Sequence, residues 1–205
     1  VEEFRRLSSV AIALPEGNID TDVIFPARFL LIMEKSGLGQ YLFYDRRFTP
    51  AGEKRINSVL DRPEIRGASI LIAGPNFGCG SSREQAVWAL AGFGIRCVIS
   101  TSFGEIFFSN CFKSGVLPII LSEDVVSHLM ARADAAAMFD VDLVDQRIAS
   151  SDGIAVPFEI DPGRRQALLR GWDETDIIFN EERSNIERFE SIHASRQPWL
   201  LDESA

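Results

Sequence analysis

The sequence predicts one α/β domain, on three observations. Short apolar runs alternate with segments of helical character, and three such strand–helix pairs follow one another between residues 68 and 137. Each run is bounded by Gly, Pro, Asn or Ser, residues that break or cap regular elements. A chain of 205 residues with 46% hydrophobic and 25% charged positions is long and apolar enough to bury one core.

Residues 7–14, LSSVAIAL, form a β-tolerant run that stops at Pro15 and Gly17, so a strand leads into the loop PEGNIDTD. After VIFP, ARFLLIMEKSGLGQYLFYDRRF is dense in Leu, Phe and Tyr but interrupted by two glycines, which predicts short helices or an ordered loop. ASILIA at 68–73 is a continuous apolar run before a Gly/Pro/Asn turn, as a buried strand is, and SSREQAVWALAG follows as a helix that Gly92 ends. IRCVIS is the next strand, SFGEIFFSNCFKSG a helix opened by Ser102 with Glu105 three positions on, and LPIIL a further strand. Ser122 is expected to cap a helix reaching about Ala137. Beyond it DVDLVDQRIAS, the Ser-Asp-Gly turn at 151–153 and IAVPFEI read as a β-hairpin. DPGRRQALLRGW and DETDIIFNEERSNIERFESIHASRQPWL are helical, with Ile177, Ile178, Ile186, Phe189 and Ile192 set among charges. No repeat period of 20–50 residues interrupts this order.

Composition narrows the function. A net charge of −9 without a Lys/Arg cluster argues against nucleic acid, whose phosphates require a basic footprint. No apolar run approaches the roughly 20 residues that cross a bilayer, and VEEFRRLSSV lacks the order of a signal peptide, so no membrane and a cytoplasmic location are expected. Beginning at Val1 rather than Met, the sequence is expected to be trimmed. Cys79, Cys97 and Cys111 are widely spaced, with no CxxC and no nearby histidine pair, so no metal is expected on this chain alone. Cys97 and Cys111 lie in apolar segments and are expected to pack as small hydrophobes, and His128 and His193 to serve surface or packing roles.

The chemistry concentrates in AGPNFGCGSSREQAVWAL, 73–90. Gly74, Gly78 and Gly80 let the backbone approach a ligand, and the helix start that follows offers unpaired amides to an anion. The pattern is neither GxGxxG with a distant acid nor GK[ST], so a small carboxylate or phosphate fits better than a nucleotide. A capping box, Ser81 with Glu84 or Ser82 with Gln85, is the alternative and is worth about 1 kcal/mol. Arg83 favours the ligand: a cation in a first helical turn opposes the macrodipole by about 0.3–1 kcal/mol unless an anion or acidic neighbour offsets it. Its planar fork can hold a carboxylate bidentately. Cys79 offers a rival as a nucleophile near a helix N-terminus, although no histidine is placed by the sequence to act as its base.

GNIDTDVIFPARFL, LFYDRRF, GASILIAGPNFGCGSSREQAVWAL and VISTSFGEIFFSNCFKSGVLPI, in that order and with DETDIIFNEERSNIERFE near the end, resemble the small subunits of 3-isopropylmalate dehydratase, or isopropylmalate isomerase. The resemblance implies a swivelling β/β/α domain of the aconitase type over residues 1–205, with 173–199 a C-terminal helical extension. By the same resemblance Ser81 is the catalytic base, acting as an alkoxide, and Ser82 and Arg83 bind a substrate carboxylate. Helix-terminal amides, the glycine turn and the guanidinium are the preorganised electrostatics that such an oxyanion needs. Asp20, Thr21 and Asp22 match a segment near the active site, for positioning or hydrogen bonding, or else form an ordinary Asx-rich loop.

Leu30 and Leu31 are implied as an apolar wall for a branched alkyl group, with core packing as their alternative, and Arg28 leaves a longer acidic substrate open. Loss of hydroxide calls for a Lewis acid. The family places it, as a 4Fe-4S cluster, on a separate large subunit, so this chain is expected to bind no cofactor, to act only in complex with that partner, and to take a small dicarboxylate. The implied reaction isomerises 2-isopropylmalate to 3-isopropylmalate through 2-isopropylmaleate in leucine biosynthesis. Gln85, where many relatives have His, and EKSGLG depart from the family pattern and leave open another alkyl-malate or a non-catalytic carboxylate-binding module.

Overall fold

The computed structural model describes residues 1–32, 34, 36–56, 58–80 and 83–200. Its centre is a mixed seven-stranded sheet: β1 (Arg6–Leu14), β2 (Ile70–Ala73), β3 (Cys97–Ser100), β4 (Leu117–Ile120), β5 (Met138–Asp142), β6 (Arg147–Ser150) and β7 (Ala155–Pro157), in the order β4-β3-β2-β1-β5-β6-β7. The long strand β1 joins two kinds of pairing. Its first half lies antiparallel to β5, with Ser8 opposite Asp140, and its second half lies parallel to β2, with Ile12 opposite Leu71.

Helices carry the chain back between the parallel strands: α3 (Glu84–Phe93), α4 (Glu105–Lys113) and, after β4, α5 (Glu123–Asp134). Because helices or loops cover both faces, the parallel strands are apolar without alternation. Leu71, Ala73 and Val98 face one core with Phe25, Leu42 and Phe43 from the long 15–69 connection and Leu90 of α3. Ile70, Ile72, Cys97 and Ile99 face the other, with Val126 and Leu129 of α5. Burying each of these large aliphatic side chains stabilises the fold by about 1.5–3 kcal/mol before entropy is counted.

Several boundaries differ from expectation. The helix of the glycine-rich motif begins at Glu84, so Arg83 is its N-cap residue, with extended backbone, rather than a first-turn residue. It ends at Gly94, in a left-handed conformation, not at Gly92. Gly92 instead permits contact: a Cβ on facing Gly39 would lie 2.3 Å from the Gly92 carbonyl carbon, so the two glycines bring backbones together. Helix α4 starts after Gly104 rather than Ser102, and α5 ends at Asp134, with Ser122 as N-cap but no side-chain capping bond. The expected hairpin is a three-stranded meander, because Leu143–Gln146 makes a turn inside DVDLVDQRIAS.

The Leu/Phe/Tyr-rich segment forms short 3-10 turns, Ala27–Phe29 and Leu38–Tyr41, flanked by the one-turn helices α1 (Thr21–Ile24) and α2 (Tyr44–Arg47). After the meander come α6 (Pro162–Arg170), α7 (Glu174–Glu181) and α8 (Arg183–Arg196). Among the described residues no helix is long and apolar enough to cross a membrane.

Candidate active site

Three loops leave the C-terminal ends of β1, β2 and β3, the edge at which parallel α/β sheets hold ligands. Backbone hydrogen bonds stitch them together. The Gly78 amide donates to the Ile19 carbonyl at 2.8 Å, the Thr21 amide to Cys79 at 3.0 Å, and the Gly104 amide to Phe77 at 3.0 Å. Side chains add to this: the Asn76 amide donates to Ser102 Oγ at 2.8 Å, and the buried Ser100 hydroxyl lies 2.7 Å from the Gly74 carbonyl. Ser102, expected as a helix cap, therefore ties two loops together.

Gly78 shows why the motif needs glycine. Its φ is +71°, and a Cβ there would sit 2.2 Å from the ring of Phe107, which is buried beneath it. Gly78→Ala should lower stability by about 2–4 kcal/mol, combining the left-handed penalty with overpacking. A urea midpoint within experimental error of wild type would contradict this packing.

The sequence-predicted residues fall into distinct places. Asp20 caps α1, its Oδ1 accepting from the Val23 amide at 2.8 Å. Thr21 is buried and lines a small cavity of about 150 Å³ together with Gly78, Gly80 and Arg83. Asp22 is exposed and accepts a hydrogen bond from Arg83 Nη1 and another, at 3.2 Å, from the Ala27 amide. Arg83, with only 15% of its side chain exposed, thus has an acidic neighbour 61 residues upstream in sequence. That neighbour supplies the offset which a cation at a helix start requires.

The Arg83 hydrogen bond, aided by its charge and opposed by partial burial, holds the Asp22 carboxyl below the usual carboxylate range. The pair accordingly adds stability above the unfolded value of about 3.9 and loses it as pH falls through the lower folded value. Asp22→Asn should flatten that part of the acid-unfolding curve, by a small amount because Asp22 is 53% exposed. An unchanged pH dependence in acid titrations would contradict the pairing.

Leu30 and Leu31 do not line the cavity. Leu30 is half-buried against the core, and Leu31 is 90% exposed. Arg28 is engaged elsewhere, bonded to Asp45 at 2.5 Å and lying 4.7 Å over the Phe29 ring. Ser81 and Ser82 lie outside the described residues; their flanks, Gly80 and Arg83, both border the cavity.

Four residues of the cavity escaped the sequence reading as site residues: Gly104, the N-cap of α4, and Glu105, Ile106 and Phe107 in its first turn. The available signal was positional, since any helix start that follows a parallel strand faces this edge. Cys79 is half-buried, and neither histidine lines the cavity: His128 is exposed on α5, and His193 stacks on Phe189 in α8. Cys97 and Cys111 are fully buried, and burial pushes both thiols up, away from the thiolate that metals and electrophiles require. Among the described residues no group of three or more His, Cys, Asp and Glu could hold a metal, so this donor set does not fit an iron–sulfur cluster.

Comparison with known proteins agrees in fold and length. Residues 1–124 match the Aconitase C-terminal domain family, and residues 127–162 match LeuD_N. The 3-isopropylmalate dehydratase small subunit of Rhodospirillum centenum is 51% identical over 203 residues, covering 98% of this chain and 100% of that one. Its counterpart from Cereibacter sphaeroides is 48% identical over 202 residues, again covering 98% and 100%. The crystal structure of a 3-isopropylmalate dehydratase from Methanocaldococcus jannaschii superposes with a TM-score of 0.65 at 26% identity, covering 90% of this chain and 99% of that one. With its glycine-rich loop and Arg83 at the sheet edge and full-length identity near one half, the chain belongs to the 3-isopropylmalate dehydratase small subunits, hydro-lyase components of the aconitase superfamily in leucine biosynthesis.

Proposed function

We propose that this chain, paired with a large subunit, isomerises 2-isopropylmalate to 3-isopropylmalate through 2-isopropylmaleate. The observation that carries the reading is Arg83, held at the end of the Gly78–Gly80 turn and facing a cavity of substrate-fragment size. One N–H of its fork goes to Asp22. A guanidinium offers five N–H groups, and the substrate carboxylate takes others. Asp22 orients the fork, Asp20 holds the turn that presents Asp22, and Thr21 packs behind it.

Ser81, next to Gly80, takes the proton from the carbon beside the bound carboxylate, and Ser82 adds a hydrogen bond to that carboxylate. As the C–H bond breaks, its electron pair forms the double bond and the hydroxyl group departs as hydroxide, which takes a proton from solvent to become water while the Ser81 oxygen keeps the abstracted one. Rehydration returns the proton and hydroxyl to exchanged positions. A 4Fe-4S cluster on the large subunit, when bound, supplies the Lewis acid that makes hydroxide a leaving group.

Charge supports a shared site. Among the described cavity residues Arg83 is the one cation, it is already paired with Asp22, and Glu105 adds a carboxylate. This half alone is not positive enough for a dianion, so further positive charge comes from the partner. Arg28 is bonded to Asp45 and does not line the cavity, so it offers no second cation there for the extra carboxylate of a tricarboxylate. The three unpaired thiols suit a reducing cytoplasm.

The test is reconstitution with a cluster-bearing large subunit, following the absorbance of the unsaturated intermediate with 2-isopropylmalate and with tricarboxylates. Turnover of 2-isopropylmalate that rises with added large subunit, and is absent for either chain alone, is expected. No turnover of 2-isopropylmalate, or faster turnover of a tricarboxylate, would contradict the reading.

A further inference from the structure

We infer that Asn18 and Asn76 form a clasp that holds the segment carrying Asp22 in register with the segment carrying Arg83, and are positioning residues for carboxylate binding; the assignment rests on the function proposed above. Beyond the ends of β1, β2 and β3 the three connections run side by side in the same order as the strands. The Asn18 amide donates to the Pro75 carbonyl at 2.8 Å, and the parallel bridges Asp20–Cys79 and Phe77–Phe103 continue the alignment. This short ladder carries Asp22 and Arg83 to one place, since one lies in α1 and the other caps α3.

The entry to the ladder is built from two asparagines. Asn18 and Asn76 both have φ of +57°, and among the described residues of 15–22 and 74–83 they are the only non-glycine residues with positive φ. Glycine would serve such a turn at least as well, so the turn alone does not account for the side chains. Their bonding does. Asn76 Nδ2 donates to Asn18 Oδ1 at 2.8 Å, while the Asn76 amide donates to Ser102 Oγ at 2.8 Å. Asn76 thus grips both neighbouring loops, from an exposed position that does not line the cavity. Hydrogen bonds from a planar guanidinium weaken steeply with misalignment, so the register set at the clasp reaches substrate binding through Arg83.

The test uses the complex reconstituted with its large subunit and 2-isopropylmalate. Asn76→Gly and Asn18→Gly, which keep the left-handed turn and delete only the carboxamide, should each raise KM about fivefold, the worth of one neutral hydrogen bond, with kcat within about twofold. The double variant should lose no more than either single one, because both remove the same bond. Asn18→Asp keeps an acceptor toward Asn76 and should stay within about twofold of wild type. Asn76→Asp sets two acceptors face to face and should lose at least as much as Asn76→Gly. Since both add the same charge, the contrast reads the bond itself. In an Arg83→Ala background Asn76→Gly should change KM less than about twofold, and urea midpoints close to wild type should show that the variants fold. Additive losses in the double variant, equal behaviour of the two Asp substitutions, or a lowered midpoint with KM unchanged would overturn the clasp while leaving the function intact. A wild-type complex inactive toward 2-isopropylmalate would overturn the functional reading and the inference with it.

Discussion

Ser81→Ala in the reconstituted complex should lower kcat for 2-isopropylmalate by about 10³-fold, with KM within about threefold of wild type. The size follows from the role, since a positioned proton-transfer group contributes about 10²- to 10⁴-fold. The sparing of KM follows from the proposed division of roles, in which Arg83 and Ser82 hold the carboxylate and Ser81 moves the proton. A loss made only in the transition state lowers kcat and kcat/KM together. Steady-state kinetics on the purified complex separate the cases, and a Ser81→Ala enzyme within tenfold of wild type would remove this serine from the proton-transfer step.

Arg83→Ala should act in the complementary way, raising KM about 10- to 100-fold, the worth of charge-assisted hydrogen bonds to a carboxylate. Arg83→Lys should recover part of that loss, because the charge returns but not the planar fork. Neither change should cost much stability. Asp22 is 53% exposed, so losing its partner leaves a solvated carboxylate rather than a buried one, and the unfolding free energy should move by no more than about 1 kcal/mol. Unfolding curves measured beside the kinetics distinguish a lost ligand contact from a collapsed loop. A large drop in stability with KM unchanged would make the Asp22 pair a structural tie and nothing more.

Local chemistry made much of this molecule legible. The runs that became β2, β3 and β4 could be read because parallel strands buried on both faces are apolar without interruption and end in turn residues. The glycine-rich motif could be read for the same reason: turn, helix start and arginine are adjacent in sequence. Long-range pairing was not legible. Nothing near Arg83 in sequence announces Asp22, and it is long-range backbone bonds, the Gly78 amide to Ile19 and the Thr21 amide to Cys79, that bring the two segments together. The exchange of Gly92 for Gly94 at the end of α3 had a similar cause, since Gly92 answers to Gly39, more than fifty residues away. Gly104, Glu105, Ile106 and Phe107 went unread as site residues because they resemble any helix start until the sheet places them beside the motif.

The central claim is that this chain supplies the group that moves the carbon-bound proton, and the most direct measurement is hydration of 2-isopropylmaleate in deuterium oxide. Wild-type complex should yield isopropylmalates with deuterium on the carbon that gained the proton, while Ser81→Ala should yield almost no product at the same complex concentration. Deuterated product formed by Ser81→Ala at a rate near that of wild type would contradict the account.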